Sequence, residues 1–180
     1  DESLLAGWMT EIDNISIDNV GHRRWLLNPF LVTIAYGRVA GTLTDGNRSD
    51  AAALKVFNNA GQSVVPGGLP PFVAYPYGDY PAKYFDTRAL LSFTVVTDTG
   101  SEFGANRSVD FSRATISVTG PGGAMTVSGI SYDNDGYGVA NNIQWKVAGL
   151  QTGASYSVAI NVVTVRGAST NYTYTFRILN

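Results

Sequence analysis

His22 is the single histidine of the chain, and Glu11 precedes it by eleven residues. Imidazole and carboxylate groups are ordinary zinc ligands, and a zinc ion binds about four ligands in all. The pair therefore predicts half of a metal or acid–base site. The structural alternative is a helix histidine with a satisfied hydrogen bond and a solvated helix glutamate.

A second motif that suggests chemistry is Asp98-Thr99-Gly100, at the end of a predicted strand. It resembles the signature of aspartic proteases, in which a strand delivers a catalytic Asp into a Thr-Gly turn. That chemistry needs two carboxylates that share one proton, and the sequence holds no second Asp-Thr-Gly or Asp-Ser-Gly. We expect an ordinary strand-ending turn, with catalysis through Asp98 as the alternative.

The segment Asp133-Asn134-Asp135-Gly136 groups oxygen ligands of the kind that calcium prefers. Gln144 stands where a calcium loop of the EF-hand type carries its bidentate glutamate. We therefore expect a hairpin turn in which Gly136 supplies positive φ, with calcium binding as the alternative. No serine lies in a Gly-x-Ser-x-Gly elbow, and we assign no catalytic residue.

Residues 21–29, Gly-His-Arg-Arg-Trp-Leu-Leu-Asn-Pro, predict a short helix that Asn-Pro ends. Trp8 and Glu11 form a Trp-x-x-Glu pattern upstream, and residues 33–37 predict a strand downstream. This ordered trio resembles the histidine motif of bacterial secreted members of the CAP superfamily, the cysteine-rich secretory proteins, antigen 5 and pathogenesis-related proteins. The resemblance covers about the first third of the chain.

The resemblance implies that residues 1–60 are the C-terminal part of a CAP/SCP-like domain, an α+β segment that is the remnant of an α/β/α sandwich. That family builds a central cavity from two histidines and two acidic residues, and His22 and Glu11 match one of each. The other two would lie upstream. We therefore expect the C-terminal part of a longer secreted protein, with zinc in the intact parent.

Two arginines, Arg23 and Arg24, follow the histidine directly. We expect them to be surface charges or local partners of Asp13 and Asp18. The alternative is a clamp for an anionic ligand.

The composition limits the classes of function. Hydrophobic residues make up 44% and charged residues 14% of the chain, the net charge is −2, and cysteine is absent. Without a basic run, nucleic acid is not an expected partner. The sequence contains no apolar run long enough to span a membrane, and without cysteine it offers no disulfide or thiolate nucleophile.

The first third of the chain changes from a helical to a strand pattern. Leu4, Leu5, Trp8, Met9 and Ile12 have helical spacing. After the polar turn at residues 45–49, residues 51–57 predict a strand that pairs back on the strand around residues 34–36.

Residues 61–86 form a connector rich in proline and tyrosine, which excludes a long helix and a central strand. Its tyrosines either bind a sugar or a partner surface, or strap the flanking parts together, and we favour the strap. The candidate ligand-binding residues are Tyr75, Tyr77, Tyr80 and Tyr84.

Residues 87–180 show period-two alternation in six strands, which predicts an immunoglobulin-like antiparallel β-sandwich. The residues expected to face the core are Leu91, Phe93, Val95, Ala114, Ile116, Val118, Met125, Val127, Ile143, Trp145, Val147, Tyr156, Val158, Ile160, Val162, Tyr172, Tyr174, Phe176 and Ile178. Residues 149–158 resemble the fibronectin type III corner, which implies that the hydroxyl of Tyr156 bonds back to the corner backbone. The fold class expected for the whole chain is mainly β.

Two classes of function remain open. The first is a secreted, non-catalytic binding protein, extracellular or at the cell surface, whose ligand is cell-wall material, a lipid, a glycan or a protein. The second is a secreted hydrolase, metal-dependent through His22 and Glu11 or aspartic through Asp98. The small number of titratable residues favours the first.

Overall fold

The structure, a computed structural model, describes residues 2–12, 19–57 and 68–180. Asp13 and Asp18, the partners expected for the two arginines, and residues 61–67 of the connector lie outside these ranges. The chain is mainly β, as expected, with several antiparallel sheets. In the ranges described, no helix is long and apolar enough to cross a membrane.

Helices α1 (Glu2–Thr10) and α2 (Gly21–Leu26) lie near the start of the chain. The helical spacing of the apolar residues in α1 buries Met9, and Leu5 and Ile12 pack partly buried beside it. This small cluster also contains Tyr75 and Ala89, so α1 packs against residues far along the chain.

Strands β1 (Ala35–Thr42) and β2 (Arg48–Lys55) form a separate two-stranded antiparallel sheet. Ala35 lies opposite Lys55, and Thr42 lies opposite Arg48. The expected pairing of residues 51–57 with the strand around residue 35 is therefore confirmed. Every residue of β1 is exposed.

Nine further strands of the described ranges form two sheets. The four-stranded sheet has the order β3-β5-β9-β8, and the five-stranded sheet has the order β4-β11-β10-β6-β7. Their bounds are β3 Phe72–Tyr75, β4 Gly78–Pro81, β5 Leu91–Val95, β6 Thr115–Gly120, β7 Gly123–Ala124, β8 Val127–Asp133, β9 Asn142–Val147, β10 Ser155–Val165 and β11 Ala168–Leu179.

One hydrophobic core lies between these two sheets, because the apolar positions of both alternate toward the same interior. Phe93 and Trp145 come from the four-stranded sheet, and Val158 and Phe176 from the five-stranded sheet; each has at most 1% of its surface exposed. The alternation predicted for these strands is confirmed.

Val162 is an exception to the predicted alternation. A β-bulge between Ile160 and Val163 sets two residues of β10 against one residue of β11. Val162 takes a φ of 62° there, and Val163 occupies the core with no exposed surface. The expectation that Val162 faces the core is wrong because the extra residue shifts the alternation by one.

The described part of the connector contributes one strand to each sheet. β3 is the edge strand of the four-stranded sheet, and β4 lies at the edge of the five-stranded sheet, parallel to β11. The exclusion of a central strand in this proline-rich segment agrees with these edge positions. The two sheets therefore begin at Phe72, upstream of residue 87, where the sequence predicted that the sandwich begins.

The corner before β10 has the hydrogen bonds that the sequence predicted. The hydroxyl of Tyr156 accepts from the backbone N–H of Gln151 at 2.7 Å and lies 3.3 Å from the carbonyl oxygen of the same residue. Gly153 takes a φ of 78°, which favours glycine at this turn.

Candidate functional site

Glu11 and His22, the predicted metal or acid–base pair, lie in direct contact. The Nδ1 atom of His22 is 3.1 Å from Oε2 of Glu11. The side chain of Glu11 is 2% exposed, whereas that of His22 is 50% exposed. A carboxylate at Nδ1 fixes the orientation and the tautomer of an imidazole ring. The pair is therefore an oriented imidazole at the surface, held by a buried carboxylate.

Glu11 also caps α2. Its Oε1 atom accepts hydrogen bonds from the backbone N–H groups of His22 at 2.7 Å and Arg23 at 3.2 Å. Amides in the first turn of a helix have no partner within the helix, and a negative charge there is favourable. The expected satisfied hydrogen bond of His22 is confirmed, but Glu11 is buried, so the expectation of a solvated glutamate is wrong.

The backbone of Glu11 has an unusual conformation. Its φ is 58°, in the left-handed region that is uncommon for residues other than glycine. This residue directly follows α1, and its N–H donates to the carbonyl of Gly7 at 2.8 Å. The local strain is offset by the three contacts that its carboxylate makes with α2.

The exposed imidazole stacks on one aromatic side chain, which in turn contacts a second. Trp8 stacks on His22 with ring centroids 6.1 Å apart and an interplanar angle of 12°. Tyr36 of β1 meets Trp8 edge-on, also at 6.1 Å. Tyr36 is 42% exposed and the neighbouring Ile34 is 53% exposed. We call the surface formed by Trp8, His22 and Tyr36 the aromatic patch.

Arg23 is fully buried beneath the two helices. Its guanidinium donates to the carbonyl oxygens of Met9 at 2.5 Å, Leu90 at 2.6 Å and Thr10 at 2.9 Å, and to Oγ of Ser92 at 3.2 Å. Burial lowers the pKa of Arg23 to about 10, so the side chain remains cationic at neutral pH. The expectation of a surface charge is wrong, because Arg23 joins the end of α1 to the start of β5.

Arg24 is also buried and reaches the connection between β8 and β9. Its Nη1 atom is 2.7 Å from Oδ1 of Asp133, and its Nη2 atom donates to the carbonyl of Asp135 at 2.8 Å. The side chain of Arg24 is 3% exposed, so here too the expectation of a surface charge is wrong. Asp13 and Asp18, the local partners expected for both arginines, lie outside the described residues.

The ion pair between Arg24 and Asp133 involves the candidate calcium loop at residues 133–136. Oδ1 of Asp133 accepts from Arg24 and from the backbone N–H of Asp135 at 2.9 Å, so a cation side chain already neutralises it. The loop links two antiparallel neighbours, which confirms the hairpin. The positive φ falls on Gly138, at 70°, rather than on Gly136. A Cβ atom on Gly138 would lie 2.6 Å from the carbonyl oxygen of Arg24.

The four candidate tyrosines differ in exposure. Tyr75 is fully buried, its hydroxyl donates to the carbonyl of Tyr84 at 2.9 Å, and the guanidinium of Arg23 lies 3.7 Å from the centre of its ring. Its face is closed to a ligand, so the expectation that Tyr75 binds one is wrong. Tyr80 and Tyr84 are half-buried, and burial raises the pKa of Tyr80 to about 12. Tyr77 is 56% exposed. Tyr75 thus acts in the predicted strap.

Asp98 is a turn residue in its hydrogen bonding. Its carboxylate accepts from the backbone N–H of Ala105 at 3.0 Å and of Gly100 at 2.9 Å. These two bonds hold the pKa of Asp98 below its ordinary value. The carboxylate therefore favours its charged form, as expected for a strand-ending turn.

Glu11 and His22 leave few donor atoms for a zinc ion. Both oxygens of Glu11 accept hydrogen bonds, and Nδ1 of His22 faces that carboxylate, which leaves Nε2 as the one nitrogen of the pair free for coordination. Among the residues that the structure describes, no group of three or more His, Cys, Asp or Glu side chains is placed to hold a metal ion. The residues described here do not form a zinc site by themselves.

No known protein family matches the chain, and no curated protein matches it in sequence. Leu90 and Ser92, two of the partners of Arg23, were not among the predicted site residues. They carry no signal of their own, because they lie at least 67 positions away and one of them contributes only a backbone oxygen.

Proposed function

We propose that this chain belongs to a secreted, non-catalytic binding protein, extracellular or at the cell surface. Its first part is CAP/SCP-like, and its second part is an immunoglobulin-like β-sandwich. The ligand is cell-wall material, a lipid, a glycan or a protein. The single observation that carries the proposal is the aromatic patch, in which a half-exposed imidazole stacks on Trp8 and the Trp8 ring in turn meets Tyr36 edge-on.

The polar groups of the motif support binding rather than catalysis. Glu11 caps α2, Arg23 joins α1 to β5, and Arg24 pairs with Asp133. Each of these groups holds one part of the chain on another. The surface beside these groups is the aromatic patch, whose polar group is the imidazole of His22. Aromatic residues that carry a polar group are enriched at binding surfaces.

Nuclear magnetic resonance of the labelled chain tests this proposal. Separate titrations use peptidoglycan fragments, phospholipid vesicles and a glycan oligomer, with the His22 ring and the Trp8 indole as reporters. We expect one ligand class to shift both signals, and Tyr36→Ser to weaken that binding about tenfold, since a central aromatic contact contributes more than 1 kcal/mol.

The matched control is Tyr132→Ser. Tyr132 is 48% exposed, much like Tyr36, but lies on β8. The Tyr132→Ser variant should leave the affinity for that ligand unchanged. Equal weakening by both variants would place the ligand elsewhere and contradict the proposed patch.

A hydrolase that uses His22 is the second candidate. The observation in its favour is the 3.1 Å contact between Nδ1 and Oε2, since a carboxylate-oriented imidazole is the usual form of a general base. Glu11 also lines a recess of about 180 Å³ together with Arg88 and Lys146. Turnover of a chromogenic ester or an unstructured protein that His22→Ala abolishes would favour this candidate. The variant Asp98→Asn tests, in the same assay, whether the chain is instead a hydrolase of the aspartic type that acts through Asp98.

A further inference from the structure

β11 is the longest strand, and one half of it has an open edge. On one side it pairs with β10 from Ala168 to Arg177. On the other side β4 pairs only with Phe176 to Leu179. Within the described ranges, residues 168–175 of β11 have no strand partner on the side of β4.

The direction of the backbone groups follows from Ile178. Its N–H donates to the carbonyl of Ala154 at 3.4 Å, and its carbonyl accepts from the N–H of Gly153 at 2.7 Å. Both groups therefore point toward β10. Because backbone groups alternate from side to side along a strand, those of Asn171 and Thr173 point toward the open edge.

The other strands at the edges of the two sheets are short or irregular. β7 has two residues, β3 has four and is followed by Pro76, and β8 carries a bulge at which Gly129 takes a φ of 59°. Such features protect natural edges against pairing with other chains, as do charged residues and proline. Residues 168–175, Ala-Ser-Thr-Asn-Tyr-Thr-Tyr-Thr, contain neither a charge nor a proline.

A groove lies where the pairing of β4 with β11 begins. It has a volume of about 370 Å³ and is lined by Tyr77, Gly78, Ser157, Thr173, Tyr174 and Thr175. Tyr77 is 56% exposed, and its ring lies 6.1 Å from that of Tyr174. The hydroxyl of Tyr174 is buried and has no hydrogen-bond partner among the described residues. Tyr174 itself packs in the core between the sheets, whereas Thr173 and Thr175, on either side of it in β11, are exposed where a ligand in the groove would lie.

We propose that this edge binds an uncharged peptide segment of a partner protein in extended conformation, added as a strand in line with β4. The open stretch of eight residues is about 27 Å long at roughly 3.4 Å per residue. Its unpaired backbone groups recur at every second residue, which matches the repeat of an extended peptide. A glycan has no such repeat. This inference concerns a different surface from the aromatic patch and does not depend on it.

The test uses a displayed library of eight-residue peptides without charged residues, selected on the folded chain. Thr173→Pro removes one N–H from the open edge, where proline is tolerated. Thr173→Val is the matched control, since it keeps the N–H and removes only the hydroxyl. We expect selected peptides to bind Thr173→Pro about tenfold more weakly, and to bind Thr173→Val as tightly as the original chain.

Amide hydrogen exchange is the second readout. If Thr173→Pro does not fold, this measurement shows whether the peptide binds at the open edge of β11. A bound peptide should slow exchange at Asn171 and Thr173 in the unmodified chain. The inference is overturned if no peptide is retained, if Thr173→Pro binds equally well, or if protection appears elsewhere. It is also overturned if an N-acetylglucosamine oligomer protects these amides and loses binding in Thr173→Val. Tyr36→Ser, which tests the proposed function, should leave peptide binding unchanged.

Discussion

Two antiparallel hairpins of similar length have opposite environments. β1 and β2 pair over eight positions, and β10 and β11 pair over nine. Val39 in β1 is 74% exposed, whereas Val158 and Phe176 in the second hairpin are at most 1% exposed. Strand pairing is therefore equally well formed with and without a covering layer, and burial depends on what packs on the face. The difference predicts where the stability of the chain resides.

The largest expected effect comes from separating the two regions. Residues 68–180 contain both large sheets and their shared core, so they should unfold cooperatively when expressed alone. Residues 2–57 contain a two-stranded hairpin with exposed faces, which is marginal in water. Calorimetry of the two separately expressed segments measures whether each one unfolds in a cooperative transition. A cooperative transition in residues 2–57, or none in residues 68–180, would reverse the comparison.

Trp145→Ala removes the largest fully buried side chain, which faces the hairpin of β10 and β11 across the core. The resulting cavity should lower the free energy of unfolding by about 3–5 kcal/mol. Urea denaturation followed by circular dichroism gives the value. Trp25→Ala is the control, because Trp25 is only half-buried beside Phe57. Its cost should be clearly smaller.

Arg23→Lys tests the attachment of the helices that lie beside the exposed hairpin. Lysine keeps the charge but cannot reproduce the fork that reaches the carbonyls of Met9, Thr10 and Leu90. Buried acceptors left unsatisfied should cost about 2–3 kcal/mol. Hydrogen exchange should locate the loss in α1 and α2. An equal loss from Arg113→Lys, at an exposed position, would show that the burial of Arg23 is not the cause.

Val158→Thr and Val39→Thr make the same substitution in the two hairpins. In β10 the hydroxyl enters the core, which should cost about 1–3 kcal/mol. In β1 the hydroxyl faces solvent, and the change should be within about 0.5 kcal/mol. Thermal melts of both variants give the difference. Equal effects would mean that β1 is covered in solution.

Among the substitutions in the two large sheets, Tyr156→Phe should have the smallest effect on the free energy of unfolding. It removes the hydroxyl that bonds to Gln151 at the corner before β10 and should cost about 0.5–1.5 kcal/mol. Tyr36→Phe on the exposed hairpin is its counterpart and should cost less. Differential scanning calorimetry resolves the two if they are run side by side. A larger loss from Tyr36→Phe would contradict the assignment of the corner.

Sequence patterns predicted the large sheets well, because alternation and turn chemistry are local. The inward positions of β5, β9 and β11 follow directly from spacing, and the corner bond of Tyr156 follows from the resemblance of residues 149–158 to the fibronectin type III corner. The pattern of β1 and β2 predicted their pairing as well. It could not predict their exposure, because that depends on which residues elsewhere in the chain pack on them.

The site was predictable in part for a similar reason. Glu11 and His22 are close in sequence and meet as a pair. The roles of Arg23 and Arg24 were missed, since their partners Leu90 and Asp133 come from distant strands. An arginine has the same local signature whether it is solvated or serves as a buried bridge. Only the fold distinguishes the two.

The β-bulge at Val162 has a consequence for the shape of the molecule. Deleting this residue would leave Ile160, Asn161 and Val163 in regular alternation, so the core would keep the same inward side chains. The inserted residue therefore contributes a bend and not a core contact. Beyond the bend, the side chain of Arg166 at the hairpin tip reaches the carbonyl of Thr97. The single extra residue thus determines the direction of the hairpin tip. Deleting it, or inserting another residue beside it, would move the tip while the core side chains kept their positions.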